Sequence, residues 1–227
     1  MEKIGAASQA RFLPAITGLF VAVLIISNIA STKIAQIGLL VLDAGTILFP
    51  LSYIFGDILT EVYGYRKARQ VIWTGFLSLI MMSLVFFVVG LLAPAEGWVN
   101  QTAYDAILGV VPRIAIASII AYFAGEFSNS YSLAKMKIFT KGKMLWMRTI
   151  GSTILGQAVD TLLFTFIAFY GVLPFDVFIA LIVSNYVFKV GVEIVFTPVT
   201  YKVVGFLKKE ENMDTYDYKT DFSPFKI

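Results

Sequence analysis

Val71-Ile72-Trp73-Thr74-Gly75-Phe76-Leu77-Ser78-Leu79-Ile80-Met81-Met82-Ser83-Leu84-Val85-Phe86-Phe87-Val88-Val89-Gly90-Leu91-Leu92 is a run of 22 residues without a charge. A helix that crosses a bilayer needs about 20 mostly apolar residues, so this run is long enough to be one. Its ends differ in sign. Tyr65-Arg66-Lys67-Ala68-Arg69 precedes it, and the loop signal Ala93-Pro94-Ala95-Glu96-Gly97-Trp98, acidic on balance, comes after it.

Working outward, five more apolar runs are predicted as helices: residues 12–30, 44–63, 113–134, 149–170 and 176–206, with a turn at 37–43 and a kink at Pro50. Basic segments lie near residues 66, 140 and 208. Two spans separate each successive pair, which places all three on one side of the membrane. Lys33 is the exception and is expected to snorkel to the interface or to face the interior. The first eleven residues are short and mixed, and the apolar stretch after them has no signal-type cleavage site. The fold expected is an all-α integral membrane protein, a bundle of six transmembrane helices with both termini cytoplasmic. Residues 1–207 form the membrane domain, and residues 208–227 a polar cytoplasmic tail that is expected to be poorly ordered.

Composition agrees and excludes much else. Of 227 residues 58% are hydrophobic and 15% charged, with a mean hydropathy of +0.81, whereas a soluble domain carries about 45–50% apolar and about 25% charged residues. Neither cysteine nor histidine occurs, which removes disulfides, thiolate chemistry, imidazole metal sites and histidine acid/base catalysis. The net charge of +3 belongs to the loops and reflects membrane topology, so no nucleic-acid partner is expected. A Gly-rich phosphate loop and metal motifs are missing, and with them ATP hydrolysis by the chain itself; no cofactor is expected. Such a chain reads as a small-solute transporter whose partners are its solute and the lipid bilayer, with a homo-oligomer left open.

An ionisable group at the centre of a membrane helix costs about 2.5–3.5 kcal/mol on insertion scales, so the buried polar residues are the functional candidates. Asp57 and Glu61 stand four apart on one helix face; alternatively they are structural acids that meet Arg66 and Arg69. Gln157 and Asp160 fall near the middle of the fifth span, as ligand groups or as a hydrogen-bonded clamp with Ser152, Thr153 and Thr161. Asn185, Lys189 and Glu193 form one stripe on the sixth, where Lys189 and Glu193 can neutralise each other or Lys189 has Asp57 or Asp160 as its ion partner. Glu126 with Asn129, and Asn28 with Ser27 and Ser31, complete the set, and Arg113 reads as an interfacial anchor. Tyr53, Tyr122 and Tyr186 are the aromatic rings nearest these groups. Gly56-Asp57 with Thr60-Glu61 is echoed by Gly125-Glu126 with Asn129-Ser130, two segments of the same orientation. Paired carboxylates also leave intramembrane acid/base or aspartyl protease chemistry as a competing class.

Three segments carry a family likeness. Ala44-Gly45-Thr46-Ile47-Leu48-Phe49-Pro50-Leu51 and then Gly56-Asp57-Ile58-Leu59-Thr60-Glu61-Val62-Tyr63-Gly64 resemble the queuosine precursor transporter family, also called the vitamin uptake transporter family. Thr149-Ile150-Gly151-Ser152-Thr153 with Gly156-Gln157, Asp160-Thr161 and Ile167-Ala168-Phe169 is similar to its fifth helix, and Asn185-Tyr186 with Phe188-Lys189-Val190 to its sixth. The resemblance implies a multi-pass importer in the inner membrane of a prokaryote, which carries 7-cyano- or 7-aminomethyl-7-deazaguanine. The substrate-binding set expected is Asn28, Asp57, Glu126, Gln157, Asp160, Asn185 and Lys189, because a carboxylate can accept the adjacent N1–H and 2-amino donors of a guanine-like edge. Asp57, Glu61 and Glu193 are the expected ion-coupling groups of a secondary carrier. The alternative is a substrate-binding membrane subunit energised by a separate ATPase.

Overall fold

The computed structural model describes residues 10–218 and 220–225. Among the described residues there are seven α-helices, one hairpin and a 3-10 turn: α1 (Leu13–Ala30), β1 (Ile34–Ile37), β2 (Leu40–Asp43), the 3-10 turn (Ala44–Ile47), α2 (Phe49–Tyr63), α3 (Tyr65–Gly90), α4 (Gln101–Leu108), α5 (Val111–Phe139), α6 (Leu145–Phe169) and α7 (Phe175–Glu210). Among the described residues five stretches are long and apolar enough to cross a bilayer: α1, α3, α4 with α5, α6 and α7. Their outward faces carry Leu77, Met81, Leu84, Leu155, Leu162, Val187 and Val195, all exposed. Such an apolar belt is stable only against lipid.

α2 is different. At 15 residues it rises about 22 Å, short of the roughly 30 Å hydrocarbon core, and 13 of those residues are buried. It is the central post of the bundle, packed on α1, α3, α5 and α7. The turn expected at 37–43 is an antiparallel hairpin in which Ile34 pairs with Asp43 and Ile37 with Leu40, turning through Gly38 at φ +60°. Asp43 then caps the 3-10 turn by accepting from the Thr46 N–H at 3.1 Å and the Thr46 hydroxyl at 2.7 Å. α2 therefore starts at Phe49, not Ala44, and Pro50 sits in its first turn, where a missing N–H costs nothing, so the expected kink does not form. At the other end Gly64 takes φ +82°, and α3 begins at the next residue with the basic segment as its first turns.

α5 and α6 cross closely because Gly125 faces Gly156. A Cβ on Gly125 would stand 2.7 Å from the Asp160 Cβ and 2.8 Å from the Gly156 carbonyl oxygen. A ring cluster of Phe20, Phe49, Tyr53, Phe76 and Tyr122 fills the space between α1, α2, α3 and α5.

The tail departs from its expected disorder. Its carbonyl and carboxylate oxygens meet donors that the basic end of the bundle leaves free: the Tyr65 N–H donates to the Asp217 carboxylate at 3.1 Å, the Tyr65 hydroxyl to the Phe222 carbonyl at 3.0 Å and the Trp73 indole to the Pro224 carbonyl at 2.8 Å. Arg69 donates to the Asp221 carbonyl at 2.9 Å, while Met213 and Phe222 pack on the apolar core. The Phe12 N–H donates to Glu211 at 2.7 Å, so the two ends of the described chain meet at the same end of the bundle.

Candidate functional site

Four levels of buried polar residues run down the middle of the bundle, and α7 contributes to each. At the hairpin end Asp43 accepts from the Ser31 hydroxyl at 2.7 Å and from the Asn185 amide at 2.8 Å, besides the two Thr46 bonds. Its oxygens are fully used, which makes it the fastener of the hairpin to α1 and α7. One turn along α7, Lys189 donates to Asp160 of α6 at 2.7 Å, both residues being no more than 2% exposed. The ammonium also lies 4.6 Å from the centre of the Phe49 ring and 5.8 Å from that of Phe164. Of the three acids open to Lys189 in the sequence, Glu193, Asp57 and Asp160, the fold brings up Asp160.

The next turn brings Glu193 against Asp57 of α2 within hydrogen-bond reach. The Asn129 amide donates to Asp57 at 2.8 Å. Glu126 occupies the same level, accepting from Ser130 at 3.1 Å, and its carboxylate fills the space beside Gly56, where any Cβ would collide with it. At the basic end Glu61 receives Lys208 at 2.7 Å and Arg148 at 3.0 Å, with Lys137 at 3.5 Å. Lys137 and Lys208 both reach on to Asp214 of the tail, at 2.7 and 2.8 Å. Arg148 also donates to the Lys143 carbonyl.

Several alternatives are thereby decided. Glu61 does not meet Arg66 or Arg69: α2 points it toward α5, α6 and α7, while Arg69 turns to the tail. The clamp around Gln157 does not form, since Ser152 bonds within its own helix and the Thr153 and Thr161 hydroxyls have no partner. Asn28 donates to the Leu24 carbonyl at 2.8 Å, and its carbonyl oxygen is unpaired. Arg113 anchors the end of α6 by donating to the Ile167 and Tyr170 carbonyls. Lys33 is exposed and does not face the interior. Tyr53 and Tyr122 are fully buried, whereas Tyr186 lines a crevice between α6 and α7 with Thr161 and Ile182.

Both amide atoms of Gln157 are buried without a partner, as are one oxygen each of Asp160, Asn185, Asn129 and Glu126. Native interiors pair over nine-tenths of such atoms, so these buried atoms are an unused set of hydrogen-bonding groups inside the bundle. The cleft there, lined by Ser31, Asp43, Thr46, Phe49, Ser118, Phe164 and Lys189, offers about 10 Å³, room for about one water.

Residues 43–203 match the model of a family described as "Putative vitamin uptake transporter". The "Probable queuosine precursor transporter" of Bacillus subtilis (strain 168) is 31% identical over 186 residues, 82% of this chain and 81% of that protein. The "Queuosine precursor transporter" of Escherichia coli (strain K12) is 29% identical over 165 residues, 70% of this chain and 71% of that protein. The "Probable queuosine precursor transporter" of Haemophilus influenzae is 28% identical over 165 residues, 70% of this chain and 67% of that protein. No solved structure matches.

Proposed function

Because the chain belongs to the vitamin uptake transporter family, a family of transporters rather than enzymes, we propose that it imports queuosine precursors, 7-cyano- or 7-aminomethyl-7-deazaguanine, as a secondary carrier in the inner membrane of a prokaryote. The observation that carries this reading is a coincidence of two boundaries. The stretch shared with the family, residues 43–203, contains the polar levels from Asp43 to Glu193, so the likeness covers the interior where a solute would bind. Six crossings, with α2 and its hairpin as the second, put the basic end and both termini in the cytoplasm.

The ion pair of Lys189 with Asp160 suits a guanine-like edge. On binding, the pair opens: Lys189 donates to the ring carbonyl, and Asp160 accepts the neighbouring N1–H and 2-amino donors. The two charges neutralise each other before and after, so the empty and loaded states both avoid an unpaired charge. Phe49 and Phe164 flank Lys189 and give the base a stacking surface, which is worth about 1–3 kcal/mol per base. Gln157, Asn185 and Asn28 have free amide atoms for the remaining ring groups. Glu126 and Asp57 lie one level deeper, where the ammonium of the aminomethyl form would find a carboxylate. Glu193 and Asp57 are the ion-coupling candidates. Glu61, held by three cations, fits the opening and closing of the basic end better than the carrying of an ion.

Uptake of the two labelled bases into proteoliposomes that contain only this protein tests the proposal. Saturable uptake, accelerated by an imposed proton gradient, is the expected result. Binding without uptake would point to an absent ATPase partner, and no binding would remove these bases as substrates.

A further inference from the structure

Asp57, Glu126 and Glu193 share a level of the interior without an ion-paired cation: among the described residues every ion pair engages Glu61, Asp160 or Asp214 and none of these three. All three are no more than 1% exposed. Asp57 and Glu193 stand within hydrogen-bond reach of each other, yet Asp57 Oδ2 and both Glu193 oxygens have no donor. Two ionised carboxylates have only acceptors to offer, so such a contact is repulsive unless a hydrogen lies between them. The described residues do not gather three acids into a metal-ligating group, and none of them brings a lysine or arginine nitrogen within 4.0 Å of these three carboxylates. We propose that Asp57 and Glu193 hold one proton between them, and that this pair is the protein's proton-binding site.

The surroundings fit a site for a single proton. From α5, Asn129 fixes Asp57 Oδ1 at 2.8 Å, which leaves Oδ2 to face Glu193. Glu126, also on α5, is a further acid at this level, with Ser130 donating to it at 3.1 Å. From α2 itself Tyr53 is the next titratable group toward the hairpin end, and Glu61 toward the basic end is already held by three cations. From α6 comes Asp160, held by Lys189 of α7 at 2.7 Å. α1 has no titratable residue, and those of α3 lie in its first turns. The pair joins the post α2 to α7, so loss of its proton would drive those two helices apart at mid-depth. Its use for coupling rests on the carrier reading above; the existence of the proton does not.

Infrared difference spectroscopy on the purified full chain tests the proposal without any substrate. At neutral pH the protein should show a carboxylic-acid C=O band that shifts on exchange into deuterium oxide. Asp57→Asn and Glu193→Gln, each of which supplies an amide N–H in place of the proton, should each lose that component, and Glu126→Gln should keep it. No acid band in the wild type, or a component that survives either pair substitution, would overturn the proposal, and the wild-type measurement stands even if a variant fails to fold. In proteoliposomes Glu193→Gln should still exchange solute across the membrane but lose the acceleration by a proton gradient. If the wild type carries neither base while the infrared result holds, the substrate reading fails and the proton site remains.

Discussion

Lys189 has a single acidic partner, and that makes it the most informative residue to change. Removing one member of a buried pair leaves the other charged and alone, at a cost of about 3–5 kcal/mol, whereas replacing both with apolar residues is often nearly neutral. Lys189→Met should therefore lower the thermal stability of the purified protein sharply, and adding Asp160→Leu should recover most of it without restoring binding. Gln157 gives the opposite case. Its amide is buried with no partner, a desolvation cost of about 1–3 kcal/mol, so Gln157→Leu should stabilise the empty protein while uptake falls at least about tenfold, the effect of about 1.4 kcal/mol. The charges at Asp57, Asp160, Lys189 and Glu193 were legible in the sequence because each interrupts an apolar run. Their pairing was not, since it depends on how the helices are rotated against one another. Asp43, Lys137 and Arg148 escaped notice because they lie beside loops, where charge is ordinary; the spacing of Asp43 to Thr46, a side-chain cap ahead of an apolar run, was the available signal for the first.

Among the elements, α5 and α6 are joined through glycines, so Gly125→Ala or Gly156→Ala should force them apart. Overpacking of this kind costs about 1–3 kcal/mol, readable as a fall in the unfolding midpoint in detergent. The tail behaves as a strap. Gly64 lies beneath it, and a Cβ there would stand 2.6 Å from the Thr215 side chain. Asp214 ties the strap down: partial burial pushes its carboxyl up, but the Lys137 and Lys208 ammonium groups outweigh this and hold it below the usual carboxylate range. Linkage sets the sign. Asp214 contributes its full stabilisation above the unfolded carboxyl value, about 3.9, and loses it as pH falls through the lower folded value. Protease sensitivity of the tail should be unchanged from neutral to mildly acid pH and rise only below that range, while Asp214→Asn should show the loosened tail already at neutral pH. The long helices were easy to read from their apolar runs, but the short α4 (Gln101–Leu108) and the start of α2 were not. Residues 44–48 are as apolar as the first turns of α2, and it is the Asp43 cap and Pro50 that decide where the helix can begin.

For the whole molecule, the recurrence of basic segments near residues 66, 140 and 208 is the sequence signal for orientation, and the meeting of Phe12 with Glu211 puts the two ends of the described chain at one end of the bundle. The absence of native cysteine makes sidedness directly testable. A membrane-impermeant thiol reagent should reach Glu96→Cys, in the loop after α3, from outside intact cells, and Lys143→Cys, in the loop before α6, only once the membrane is opened. Labelling of both from the same side would refute the topology. The enclosure of α2 bears finally on how the protein is made. Asp57 and Glu61 leave the ribosome before Asn129, Lys137, Arg148, Glu193 and Lys208 have been synthesised, and a 15-residue helix with two carboxylates is a poor candidate for leaving the translocon alone. Its biogenesis must wait for the C-terminal half, so a chain released before α7 would present this segment to quality control as an unfinished span.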